Sequence, residues 1–164
     1  MILRFSRSSE KLTIDGTDKS FRATNEVRNE LNGRRRLHDS KEVVKAVVNG
    51  QWGPPYMPRQ FPLGVWNVLK VAQKGRDTEF WPVRIETDAT QMVHAWELDA
   101  KGGYASERPV LVEDSGYHLH WTPSKTTLGC IRIGGDASWE MIDLADVVWD
   151  ALKAGDKVQL IVEE

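Results

Sequence analysis

The sequence predicts a mainly β domain, a β-rich α+β fold with one helix packed on it near the C-terminus. Three observations carry that prediction. From Phe61 onward, short apolar stretches are separated by turn residues: Lys74-Gly75, Asp88, Lys101-Gly102-Gly103 and Asp114-Ser115-Gly116. Only after Asp136 do apolar residues recur convincingly at steps of three and four. The chain has 164 residues, 40% hydrophobic and 28% charged, which suits a single domain over residues 1–164 with a real core.

Taken in order, Ile2-Leu3-Arg4-Phe5 and Leu12-Thr13-Ile14 read as short strands, with Asp15-Gly16 turning the chain after the second. Asp18 to Asn32 is polar and supports no clear element. Arg34-Arg35-Arg36 reads as a solvated loop, since three arginines do not make a binding patch. Glu42 to Val48, after Ser40 and before Asn49-Gly50, predicts a short helix, with strand as the alternative its β-branched residues allow. Pro54, Pro55 and Pro58 then forbid a regular ladder, so this stretch crosses the surface or walls a site. Strands follow at Val65–Val71, Phe80–Glu86, Gln91–Glu97, Val110–Val112 and Tyr117–Trp121, spaced closely enough to imply antiparallel pairing in a mixed or all-β sheet. Asp136 is placed to cap a helix whose buried face is Met141, Leu144, Ala145, Val148, Ala151 and Leu152, with Gly155 ending it. Lys157–Val162 alternates as a final strand.

Composition excludes several functions. A net charge of -2 gives no overall electrostatic case for binding nucleic acid or an anionic membrane. No apolar run approaches the roughly 20 residues of a membrane-spanning helix. One cysteine rules out an internal disulfide and a cysteine-cluster zinc site. The N-terminus lacks the apolar core of a secretory signal, so the protein is expected to be made in the cytoplasm and exported, if at all, by another route. Seven tryptophans predict an aromatic-rich core or rings lining a groove.

The chemistry concentrates between His118 and Ile133. Strand alternation puts His118 and His120 on one face. Ten positions after His120 comes Cys130, directly behind Gly129. A thiol nucleophile needs an imidazole to raise its thiolate fraction and backbone N–H groups aimed at an oxyanion, and glycine permits the backbone such a site needs. Arg132 has two candidate roles: anchoring a carboxylate or steadying the loop by hydrogen bonds. The bland alternatives are a buried structural thiol and satisfied strand histidines, His94 included. A zinc pair at His118 and His120 lacks a third ligand at diagnostic spacing, and no metal is expected.

The run His120-Trp121-Thr122, a loop, then Thr127-Leu128-Gly129-Cys130-Ile131-Arg132-Ile133 resembles the signature of the L,D-transpeptidase catalytic (YkuD-type) domain. That signature is His-Gly-Thr/Ser, a variable loop, then Ser/Thr-His-Gly-Cys-Ile/Val-Arg. Met57-Pro58 and Phe61–Val68 resemble the family's strand entry, and the Asp136 helix with the strand from Lys157 its closing elements. The resemblance implies a YkuD-like mixed β-sandwich or barrel core over residues 53–164, preceded by strands and a helix within 1–52. It implies a cysteine acyl-transfer enzyme on peptidoglycan stem peptides, with no cofactor. The product is an L,D-carboxypeptidase or hydrolase step when water takes the acyl group, a transpeptidase step when an amine does. Cys130 takes the nucleophile position and His120 the base position, although which of His118 and His120 serves as base stays open. Gly129 and Cys130 supply the oxyanion backbone, Thr127 and Arg132 match the family's Ser/Thr and Arg, and His118 is a candidate substrate contact. Three departures stand out: Leu128 replaces the histidine before Gly-Cys, Trp121 replaces a glycine, and the loop between His120 and Cys130 is short. They favour a divergent hydrolase, such as a phage lysis enzyme or a secreted antibacterial effector acting at the cell wall. The alternative is a catalytically inactive YkuD-like cell-wall-binding or virion module.

Overall fold

A computed structural model describes residues 1–28, 57–73, 83–96 and 108–164. The helix expected over Glu42–Val48, the boundary at residue 52, and the turns at Lys74-Gly75 and Lys101–Gly103 lie outside these residues. The chain divides into two compact units. One comprises Met1–Val27, Gln60–Thr90 and Ser115–Glu164, the other Arg28–Arg59 and Gln91–Asp114.

The first unit is a closed eight-stranded barrel with one helix packed against it. Its strands are β1 (Ile2–Ser6), β2 (Lys11–Ile14), β3 (Ser20–Thr24), β4 (Gly64–Gln73), β5 (Val83–Thr87), β8 (His118–His120), β9 (Ile131–Ile133) and β10 (Gln159–Glu163). Around the barrel the order is β1-β10-β4-β5-β8-β9-β3-β2. Six of the eight junctions are antiparallel; β1–β10 and β8–β9 are parallel. The expected mixed sheet is therefore observed, and closure leaves it no open edge. The second unit contributes an antiparallel pair, β6 (Gln91–Ala95) and β7 (Val110–Asp114), with Met57 N–H donating to the His94 carbonyl.

Period-two alternation builds the barrel core. Leu3 and Phe5, Leu12 and Ile14, Phe21 and Ala23, Ile85, Leu119, Ile131 and Ile133, and Leu160 and Val162 are all buried in one cluster. The residues between them (Arg4, Thr13, Arg22, Arg84, Glu86, His118, His120, Arg132 and Ile161) therefore belong to the opposite, outer face. Strand β3 was not expected, because Phe21 and Ala23 are its only apolar residues in polar surroundings; pairing with β2 and β9 makes it a strand. In β4 a bulge between Val68 and Lys70 shifts the register and sets Lys70 opposite Glu86.

The helix α1 (Trp139–Lys153) buries Met141, Leu144, Ala145, Val148 and Ala151, with Leu152 packed at the margin, as its periodicity predicts. Its start differs from expectation. The N-cap residue is Ser138, not Asp136, and it makes no side-chain capping bond. Gly155 ends the helix at φ 83°, donating to the Leu152 carbonyl while Asp156 N–H reaches Ala151, a Schellman arrangement. No helix among the described residues is long and apolar enough to cross a membrane.

Candidate functional site

Cys130 immediately precedes β9 and is largely buried, 8% exposed. Strands β8 and β9 run parallel, with Leu119 beside Ile131 and His120 beside Arg132. One step back, the same register sets Cys130 beside His118. Contacts agree: Cys130 Sγ accepts the His118 backbone N–H at 3.4 Å, and the thiol lies 3.6 Å from the Gly116 carbonyl as a donor. The first contact favours thiolate and the second favours thiol. The sulfur is thus held at the start of β8, whereas His120 ends that strand.

The turn carrying the cysteine is fastened from both sides. Thr127 Oγ1 donates to the Cys130 carbonyl (2.7 Å) and accepts the Gly129 N–H (3.1 Å). Thr127 N–H in turn donates to Glu26 (2.9 Å). Thr127 therefore shapes the cysteine turn from within. Gly129 has φ 132°, a conformation L-residues rarely adopt, so glycine is required there. Its N–H is spent on Thr127, and as an oxyanion donor it would first have to leave that hydroxyl.

Arg132 takes the second of its two candidate roles. Its Nε donates to the Thr122 carbonyl (2.8 Å), Nη1 to Gly134 (3.0 Å) and Nη2 to Gly135 (2.6 Å). The guanidinium is a buried clamp across the segment on either side of β9. Trp121 is similarly absorbed: its indole N–H donates to Gly135 (3.0 Å) and its ring packs on the core. The bulk of this side chain is thus built into the scaffold.

Sequence reasoning missed Asn25. Buried just after β3, its Nδ2 donates to the carbonyls of both Gly129 (2.9 Å) and Cys130 (3.0 Å), and its Oδ1 accepts the Phe61 N–H (2.7 Å). This amide ties the cysteine turn to the segment entering β4. No motif surrounds it, and only its contacts reveal it.

The two histidines sit in different surroundings. His120 is 4% exposed, with Nδ1 3.2 Å from the Trp121 carbonyl. Burial pushes its pKa down to about 4; the Trp121 carbonyl opposes this, while His118, Arg84 and Arg132 add to it. His118 is partly buried, and burial also lowers its pKa, here against the opposing charge of Glu86. Glu86 itself is held by Arg84 (2.6 Å) and Lys70 (3.6 Å). Burial alone would raise its pKa, but Arg84, Lys70 and His118 bring it below the usual carboxylate value. Among the described residues no group of three or more His, Cys, Asp or Glu side chains could hold a metal ion. His94, on β6, belongs to the second unit.

No protein-family model matches the chain, and no curated protein does.

Proposed function

We propose that the protein is a cysteine-dependent acyl-transfer enzyme acting on peptidoglycan stem peptides at the bacterial cell wall. One observation carries this more than any other: the single thiol lies against the start of a strand bearing two imidazoles, with a backbone N–H directed at its sulfur. Cys130 thiolate attacks the carbonyl carbon of the bond between the diamino acid and D-Ala. The tetrahedral oxyanion collapses, the C–N bond breaks, and the departing D-Ala amine takes a proton from imidazolium. The thioester then yields to water, whose proton passes to the imidazole, releasing the shortened peptide and the thiol. No metal or organic cofactor enters these steps.

Water is the favoured acceptor. A transpeptidase must hold an amine against the thioester and exclude water, which requires an enclosing wall. The segment between His120 and Cys130 is short, and it is consumed by internal hydrogen bonds from Ser124, Thr126 and Thr127. Incubation with tetrapeptide muropeptides and excess acceptor is expected to give mainly shortened monomers by mass spectrometry. Cross-linked dimers as the main product would overturn hydrolysis.

The second reading, an inactive YkuD-like module binding cell wall or forming part of a virion, is favoured by the thiol's low exposure and its bond to Gly116. Muropeptides left unchanged by wild type, with Cys130 resisting iodoacetamide at neutral pH, would decide for it.

A further inference from the structure

We infer that His118, backed by Glu86, and not His120, is the histidine that serves Cys130, with Glu86 as its positioning residue. The inference rests on the cysteine acyl-transfer function proposed above and decides which imidazole performs it.

Two rows of side chains cross the outer barrel face. Register sets Lys70 opposite Glu86 and Glu86 opposite His118; the His118 N–H then meets the Cys130 sulfur. The adjoining row sets Arg84 opposite His120 and His120 beside Arg132. Between the rows lie Ile85, Leu119 and Ile131, all fully buried in the core, so both rows share the same face of the sheet.

The chemistry needs imidazolium twice: as the partner of the thiolate, and as the acid that protonates the leaving amine. The first row contains a carboxylate opposite the imidazole, anchored by Arg84 at 2.6 Å and Lys70 at 3.6 Å. In the second row His120 is flanked in register by Arg84 and Arg132, whose charges both lower its pKa. Burial works against imidazolium at both rings, but Glu86 opposes that effect at His118, whereas at His120 the charges of His118, Arg84 and Arg132 add to it. The charged and titratable groups around His118 are Lys70 from β4, Arg84 and Glu86 from β5, His120 from its own strand, and Cys130 and Arg132 from β9. Of these, Glu86 is the anion placed to favour its protonated form, while Arg84 and Lys70, both paired with that carboxylate, act against it.

Position along the strand points the same way. Cys130 Sγ contacts the backbone at Gly116 and His118, at the start of β8. His120 lies two residues on, beside Arg132, with Nδ1 turned to the Trp121 carbonyl.

The test is the pH dependence of Cys130 alkylation by iodoacetamide, which needs no substrate, in wild type, His118→Gln, His120→Gln and Glu86→Gln, with Cys130→Ala as blank. Wild type is expected to show a rate limb below the ordinary thiol pKa, reporting a thiolate–imidazolium pair. His118→Gln should remove that limb and slow alkylation at pH 7 about tenfold, while His120→Gln stays within about twofold. Glu86→Gln should move the limb to lower pH, and Glu86→Asp should restore part of the shift. Histidine NMR of unmutated protein, before and after alkylation, guards against variants that fail to fold: the His118 titration step should move to lower pH on blocking the thiol, and that of His120 should not. Loss of the limb in His120→Gln with its retention in His118→Gln would overturn the assignment while leaving the acyl-transfer function standing. A wild-type thiol that titrates as an ordinary cysteine would overturn both.

Discussion

Asn25 spends every polar atom of its side chain on backbone: two donors on Gly129 and Cys130, one acceptor on Phe61. Asn25→Ala would bury two carbonyls and one N–H without these partners, so urea unfolding should show a loss on the order of 2–4 kcal/mol. Arg132 follows the same logic with a charged donor. Arg132→Lys retains the charge but cannot reach Thr122, Gly134 and Gly135 together, and it should lose about 2–3 kcal/mol. A lysine variant as stable as wild type would mean that the clamp contributes nothing. Cys130→Ala belongs at the opposite end. It should abolish turnover while shifting stability by only about 1 kcal/mol, checked by product analysis alongside a thermal melt. At this scale the sequence singled out Cys130, His118 and His120 as candidates, because thiol and imidazole are rare side chains. It concealed Asn25, because an amide that binds backbone carbonyls leaves no periodic or compositional trace.

Elements were legible in proportion to their apolar periodicity. Helix α1 declared its buried face from Met141 to Leu152, and its Schellman end is written in Gly155. Ala at that position must hold a φ near 83° that costs an L-residue about 1 kcal/mol or more. Gly155→Ala should accordingly lower the urea midpoint without altering the far-ultraviolet spectrum; an unchanged midpoint would mean the chain end relaxes at no cost. The helix start was less legible. Asp136 has the right chemistry for a cap, but the helix begins at Trp139, and Glu140 of its first turn is drawn to Arg22 by bonds of 2.8 Å to the backbone N and to Nε. Strand β3 was illegible for a related reason. Its two inward residues make too short a pattern, and its identity as a strand comes from β2 and β9 on either side.

At the scale of the whole molecule, alternation identifies strands but not their partners. The parallel pairing of β1 with β10 joins chain segments more than 150 residues apart, and the Met1 amino group donates to Lys157 at the same seam. Closure of the barrel carries a consequence for acid stability. Folding buries the His120 imidazole in its neutral form, with a pKa of about 4, whereas an exposed histidine in the unfolded chain titrates near 6.5. The unfolded chain therefore binds the proton first. The stability due to neutral His120 is complete above pH 6.5, falls as pH drops through the window from 6.5 to 4, and has been lost below it. That loss amounts to about 3 kcal/mol for this one group. His118, Glu86 and Asp15, each with a lowered pKa, tilt stability in the same direction, so the raw pH profile does not isolate His120. The difference between wild type and His120→Gln does. Glutamine does not titrate, so the variant should lose less stability than wild type between pH 7 and pH 4, and the two unfolding free energies should converge or cross as pH falls. A gap between them that stays constant across that window would mean that His120 is protonated as readily in the barrel as in the unfolded chain.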